Sequence, residues 1–427
     1  MKSRWPVRVL IGVLCLIAGA ASVLAIYNAL PPPTLLDRDV QHGSPITSAR
    51  FHHEVSNMPG PVVLDGNRVT ELQNGGEAFP AMIAAIRSAK SSVNLESYIW
   101  WPGEVGQRFR AALIERARAG VPVHVLVDAI GCRLDDSTIQ AMRAAGVQFE
   151  IYHPVKWYTL NRLNDRDHRK LLVVDGRVGF IGGIDIADPW DGNDAQPDHW
   201  RDMDFQVEGP AVAQMQAVFE RNWTVVTGHV LLGPDYFPLL QPTGNASAQT
   251  YGSSPSSGSD DMQMMYLMAI AAARKSIDLE AAYFIPGDLL RNALKGALKR
   301  GVRVRIIVPG PYIDSRMVLD ASEAEWGPML AAGAHIYRFQ PSLFHSKMMI
   351  VDGYLTMVGS TNFDERSFQL NAEANINIYD AKFGAHMTGI FDQDVAHSRE
   401  ISLQEWQHRS WLRKMEDWFS SLASSQL

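Results

Sequence analysis

The chain repeats itself, and a duplicated sequence must fold into two matching halves with a common surface. The segment Ile86–Tyr98 (IRSAKSSVNLESY) returns as Ile270–Tyr283 (IAAARKSIDLEAAY). Ala117–Val127 (ARAGVPVHVLV) returns as Leu298–Val308 (LKRGVRVRIIV). Ala144-Ala145-Gly146-Val147 before Tyr152 returns as Ala331-Ala332-Gly333-Ala334 before Tyr337. The order is the same both times, so the repeat is a domain-sized unit of roughly 170 residues and not a short solenoid period.

Within each copy the pattern alternates helix and strand. Phe109 to Arg118 has helical spacing, with Leu113, Ile114 and Ala117 available for one face, and Gly120 stands where a helix-ending glycine belongs. Val121–Val127 is β-rich, and Leu171–Val174 and Met348–Val351 are short apolar strands closed by Asp-Gly. Strands alternating with helices predict an α/β fold with largely buried sheets. Two such lobes are expected to pack with pseudo-twofold symmetry. Their predicted limits are 62–240 and 262–427, joined by a flexible linker over 241–261, where Gly, Ser, Pro, Thr and Asn dominate. The methionines of MQMMYLM (Met262–Met268) read as fillers of core gaps.

Each copy carries the same polar signature, H-x-K-x4-D. The first is His168, Lys170 and Asp175 in DHRKLLVVDG, and the second is His345, Lys347 and Asp352 in FHSKMMIVDG. Residues two apart on a strand share a face, so each histidine–lysine pair points one way. The apolar residues that follow anchor the strand. A Gly-Gly pair, Gly182-Gly183, comes next in the first copy and a Gly-Ser pair, Gly359-Ser360, in the second, each able to bring backbone N–H groups near an anion. If the halves meet face to face, two imidazoles and two ammonium groups converge on one pocket. A phosphodiester needs those parts. Cations neutralise its non-bridging oxygens, one imidazole attacks phosphorus, and the other protonates the leaving alkoxide. Each histidine needs a partner on its other ring nitrogen; the candidates are Asp202, with Asp204 as rival, and Glu373. Asp175 and Asp352 precede glycine, where aspartate favours turns, and read as supports for the motif. Glu96 and Glu280 occupy matching strand ends, as second-layer hydrogen-bond partners or as solvated carboxylates. Trp100, Trp101, Trp157 and Tyr158, flanked by Lys156 and Arg162, read equally as a rim for lipid headgroups or as ordinary packing.

These residues resemble the phospholipase D superfamily, with two copies of its histidine-lysine-aspartate motif. Within it the chain is most similar to the bacterial cardiolipin synthases, from about Val62 to the C-terminus. The segments that carry the likeness are Asn164–Asp188, Trp200–Val212 and Phe344–Asn375. The resemblance implies a metal-free, cofactor-free exchange of two phosphatidylglycerols to cardiolipin and glycerol through a phosphohistidine. The residues leave open which imidazole attacks; the family's habit points to His168. The resemblance also implies phosphate contacts from Gly183, Ser360 and Asn362. The family places Ser and Asn after each glycine. The second copy keeps Ser360 and Asn362, but the first has Gly183 and Asp185, and a carboxylate there argues against direct phosphate contact. A hydrolase releasing phosphatidic acid and a nuclease share the same motifs. The net charge of -7 and the absence of a basic tract argue against nucleic acid as partner.

The N-terminus predicts a membrane anchor over residues 1–30, followed by a spacer over 31–61 that begins with three prolines. Lys2, Arg4 and Arg8 precede an uncharged run from Val9 to Ile26, about 27 Å as a helix against a hydrocarbon core of roughly 30 Å. Apolar residues continue past the Ala18-Gly19-Ala20 signal-peptidase-like site, which favours an uncleaved span. The positive flank precedes the span, so the expected orientation puts the N-terminus in the cytoplasm and the catalytic lobes on the external face of a bacterial inner membrane. The lipid bilayer and its phospholipids are the expected partners. The two cysteines, Cys15 and Cys132, exclude a disulfide framework.

Overall fold

The computed structural model describes residues 5–29, 40, 43–58, 60–154, 164–193, 196–254 and 261–421. The strands of the first half are β1 (Leu64–Gln73), β2 (Val93–Ser97), β3 (Val123–Asp128), β4 (Gln148–Tyr152), β5 (Arg166–Asp167), β6 (Leu171–Val174), β7 (Val178–Gly182) and β8 (Met203–Glu208). Those of the second are β9 (Ala246–Ser253), β10 (Ser276–Ala281), β11 (Phe284–Ile285), β12 (Arg303–Val308), β13 (His335–Phe339), β14 (Lys347–Val351), β15 (Leu355–Gly359), β16 (Phe363–Asp364), β17 (Asn371–Tyr379) and β18 (Ser398–Ile401).

One mixed sheet of 16 strands runs through both halves of the described chain. Outward from its centre, the first half reads β1, β8, β7, β6, β2, β3, β4, and the second reads β9, β17, β15, β14, β10, β12, β13, with β18 added at the far edge. In each half three successive strands, β2-β3-β4 and β10-β12-β13, are parallel, and the other pairings along the main strand order are antiparallel. The innermost strands β1 and β9 pair antiparallel, as a twofold relation between equivalent strands requires. The predicted duplication is therefore present at the level of topology.

Local chemistry repeats with it. Helices α1 (Trp5–Ala29) and α2 (Ala49–Asn57) precede the first half, whose helices are α3 (Asn74–Ser88), α4 (Glu104–Arg118), α5 (Asp136–Ala144) and α6 (Val212–Thr227). The second half has α7 (Asp261–Ala272), α8 (Gly287–Lys299), α9 (Arg316–Ala331), α10 (Glu365–Gln369), α11 (Ala381–Ala396), α12 (Leu403–Gln407) and α13 (Trp411–Ser421). The helices α4 and α8 end at Gly120 and Gly301, both with φ 86°, a conformation in which a Cβ would be strained. Helix α4 buries Val105, Phe109, Ala112 and Leu113 against the sheet. Each half has its own core, and a third core lies across the seam, where Leu171, Val173, Ile181 and Phe205 meet Met348, Ile350, Ile376 and Phe391. Met262, Met265 and Met268 are buried in the core of the second half, as the sequence suggests.

Several expectations are corrected. The segment 31–61 is not only a spacer, because α2 seats Phe51 and Val55 in the core of the second half. The segment 241–261 is not only a linker, since it contains β9, a central strand. Its sequence, ASAQTYGS, lacks apolar alternation because the strand is buried on both faces and the Gln249 and Tyr251 side chains are bonded internally. Gln249, for example, donates to the carbonyl of Val55 and accepts from the Tyr379 hydroxyl. Residues 255–260 of that segment and the proline run at 31–33 lie outside the described residues. Trp100 is core and fully buried, while Trp101 is half-buried beneath the Arg133 guanidinium. Lys156, Trp157, Tyr158 and Arg162 lie outside the described residues. On α1 the described side chains run from Val9 to Val23 and are exposed. Among the described residues, no helix is long and apolar enough to cross a membrane.

Candidate active site

Two short parallel bridges across the seam build the site. In one, Arg166 and Asp167 of β5 pair with Asn371 and Ala372 at the start of β17, and the His168 N–H donates to the Ala372 carbonyl at 2.9 Å. In the other, Arg201 pairs with Phe344. There the Arg201 N–H donates to Leu343 and the His345 N–H donates to Arg201, each at 2.8 Å. Each bridge places the next residue of one half beside the next residue of the other. His168 therefore meets Glu373, with Nδ1 at 3.1 and 3.0 Å from its two oxygens. His345 meets Asp202, with Nδ1 at 2.6 Å from Oδ2. Each imidazole is oriented by a carboxylate from the opposite copy of the repeat.

Around these pairs the packing is dense. Trp190 Nε1 donates to Asp202 Oδ2 at 2.9 Å, and the Met203 N–H donates to Oδ1 at 2.9 Å. The Trp190 and Trp200 rings lie 5.3 and 5.5 Å from the His345 ring. Glu373 accepts from the Ser360 hydroxyl at 2.5 Å and from the Asn371 amide at 3.1 Å. The Tyr98 ring lies 5.0 Å from that of His168.

Electrostatics set the resting protonation. Burial lowers the pKa of His168 below its ordinary 6.5, and Lys170 adds to the effect against the opposing pull of Glu373. Burial and then Lys347 lower that of His345 in the same way. Burial alone would raise Asp202 and Glu373. Lys347 and His345 overcome this for Asp202, and His168, Ser360 and Lys170 for Glu373, so both carboxylates are held below their ordinary values. The resting pairs are neutral imidazoles donating Nδ1–H to carboxylates, a tautomer that leaves the lone pair on Nε2. Lys347 is pushed down to about 8 by burial and by the like charge of Lys170, against Asp202, Glu373 and Asp185. All four of these charged groups therefore lie close enough to Lys347 to act on its charge.

A layer beneath holds the strands that carry the histidines. Buried Arg169 donates to the carbonyls of Val218, Glu373 and Ser253 and lies 3.7 Å from Glu96. Asn222 donates to both Glu96 and Asp167. Behind His345, Ser346 donates to Glu280 at 2.5 Å, and Arg201 of the first half pairs with Asp394 of the second at 2.9 Å. Glu96 and Glu280 are thus buried partners behind the site, not solvated strand ends.

Other candidates fall elsewhere. Asp175 and Asp352 are not at the site. Asp175 accepts from the N–H groups of Lys90, Ser91 and Ser92, and Asp352 from those of Arg274, Lys275 and Ser276. They stand at the far end of β6 and β14 from the lysines, about 16 Å away along an extended strand. Gly183 is not a phosphate donor, because its N–H donates to the Met203 carbonyl at 3.0 Å. A Cβ there would sit 2.3 Å from Asp202 Oδ1, so the glycine makes room for the carboxylate behind His345. The Ser360 hydroxyl is likewise engaged with Glu373. Asn362 is buried with its Oδ1 lacking a hydrogen-bond partner among the described residues. Asp204 is buried beside Asp202, and burial and then that like charge push its pKa far up. The exchange of carboxylates between halves could not be read from the sequence, where each acid lies downstream of its own lobe's histidine.

Comparison with known proteins identifies the family of the chain. The family described as cardiolipin synthase, PLD-like domain, matches residues 82–223 and 266–395. The cardiolipin synthase of Geobacillus kaustophilus is 34% identical over 371 residues, covering 86% of this chain and 74% of that protein. The major cardiolipin synthase ClsA of Bacillus subtilis is 34% identical over 360 residues, covering 83% of this chain and 74% of that protein. Phosphatidylserine synthase of Haemophilus influenzae shares the fold, with a TM-score of 0.66 at 16% identity over 88% of this chain and 99% of that one. With one matched segment in each half and relatives alike over most of its length, the chain belongs to the cardiolipin synthase family of phospholipase D-like domains.

Proposed function

We propose that this protein transfers a phosphatidyl group between two phosphatidylglycerols, releasing glycerol and forming cardiolipin. The observation that carries the proposal is the pair of buried imidazoles, each hydrogen-bonded through Nδ1 to a carboxylate from the opposite half. In this reading the lobes 62–240 and 262–427 each supply one histidine and one lysine. His168 Nε2 attacks phosphorus, and the phosphorus–oxygen bond to glycerol breaks. Lys170 and Lys347 offset the charge on the non-bridging oxygens. His345, protonated from solvent as the anionic diester binds, gives that proton to the leaving glycerol oxygen and becomes neutral. Its short bond to Asp202 suits that role, since a charge-assisted contact favours the imidazolium. The hydroxyl of the second phosphatidylglycerol then gives its proton to His345 and attacks the phosphohistidine. One diester linkage is exchanged for another, so no nucleotide is needed.

The exposed apolar side chains between Val9 and Val23 support α1 as the anchor to a bacterial inner membrane, and the basic residues Lys2, Arg4 and Arg8 at its N-terminal end support placing the lobes on the external side. Purified protein incubated with labelled phosphatidylglycerol is expected to yield cardiolipin and glycerol, and to do so in a chelator. Phosphatidic acid as the sole lipid product would replace transfer with hydrolysis, and no turnover of lipid would refute both.

A further inference from the structure

The two lysines do not meet the same surroundings. At equivalent places, three residues after Gly182 and Gly359, the first half has Asp185 and the second has Asn362. Lys170 Nζ lies 3.2 Å from Asp185 Oδ2 and donates to the His168 carbonyl at 2.8 Å. Asp185 is fixed in turn, because its Oδ1 accepts from the Ser97 hydroxyl at 2.9 Å and the Ile99 N–H at 3.0 Å. Both partners of the ion pair are almost wholly buried, Asp185 at 1% and Lys170 at 3% exposure. Lys347 contacts the ring and carbonyl of its neighbour His345 instead. Its counterpart to Asp185 is Asn362, an uncharged amide that brings no competing carboxylate and whose NH2 group is a donor.

We propose that Asp185 is a positioning residue that holds Lys170 as an internal ion pair, making the first lobe the weaker anion subsite and leaving Lys347 with Asn362 as the principal grip on the phosphodiester. This rests on the phosphoryl-transfer reading of the pocket and adds an asymmetry to it. A non-bridging oxygen arriving at Lys170 must share the ammonium with a carboxylate already bonded to it. Repulsion from that carboxylate weakens anion binding on the first side. Looser ground-state binding also eases departure of anionic product. Asn at the same place would keep the contacts to Ser97 and Ile99 while removing the charge.

The test is binding of tungstate, a phosphate-like oxyanion, to the full chain without lipid, read by calorimetry for wild type, D185N and D185A. Both variants are expected to bind tungstate at least about tenfold more tightly, between the roughly sixfold that one unit charge about 4 Å away exerts in bulk water and the roughly thousandfold it exerts at an effective dielectric of about 20. With lipid, D185N is expected to lower KM by a similar factor while kcat stays level or falls. If D185N binds tungstate equally or more weakly, Asp185 serves only to hold Lys170 in place and the proposal is overturned. Should D185A fail to fold, D185N alone decides. Because tungstate affinity does not depend on which lipid is used, failure of the cardiolipin assay and failure of this proposal are separate results.

Discussion

At the scale of single residues, the account turns on imidazoles that are neutral before substrate arrives. H168A and H345A are each expected to reduce phosphatidyl transfer by at least about a thousandfold, as for other paired nucleophile and acid–base residues. Comparable turnover by either variant in the labelled-lipid assay would defeat the two-histidine mechanism. Lys347 gives a pH signature. Its pKa is lowered from 10.5 to about 8, so it is charged below that value and loses its charge as pH rises through it. The kcat/KM profile, which reports the free enzyme, should fall on the alkaline side with an apparent pKa near 8. K347R should remove that limb, because arginine stays charged throughout. Both imidazoles are lowered below 6.5, so the acid limb should lie below that pH. Gly183 belongs at this scale too. G183A is expected to push Asp202 off His345 and lower kcat by about 10–100-fold, the usual cost of losing a ligand's orienting partner.

At the scale of elements, the motif aspartates separate support from chemistry. Asp175 and Asp352 have positive φ, 53° and 54°, and each gathers three successive N–H groups at the entry to β2 or β10. D175N and D352N should each lower stability by about 1–3 kcal/mol in urea unfolding. The kcat of the folded variant should stay within about threefold of wild type; a collapse of kcat without loss of stability would return these residues to the mechanism. Much of this level was legible in the sequence. The paired H-x-K-x4-D strands, the helix-ending Gly120 and the core methionines follow from side-chain period and backbone preference, which are local. The strand β9 and helix α2 were not legible. Gln249 and Asn377 fill a buried seam with mutual hydrogen bonds, so hydrophobic pattern is silent there. The phosphate contacts assigned to Gly183 and Ser360 failed for a related reason. A sequence shows which donors exist but not which are already engaged.

At the scale of the whole molecule, the duplication is a division of labour. Neither half can assemble a complete imidazole–carboxylate pair, because Glu373 serves His168 and Asp202 serves His345 across the seam. The sequence foretold two lobes around one pocket from its repeats, but not that each lobe completes the other's histidine. That exchange depends on the short bridges of Asp167 with Ala372 and Arg201 with Phe344, long-range pairings with no local signal. The central claim is that both histidines act on one phosphorus. A crystal structure of the full chain with vanadate tests it most directly. The account predicts a single vanadium bonded to Nε2 of one histidine, with Nε2 of the other within hydrogen-bond distance of an apical oxygen. Vanadate bound by one imidazole alone, with the other turned away or remote, would contradict it.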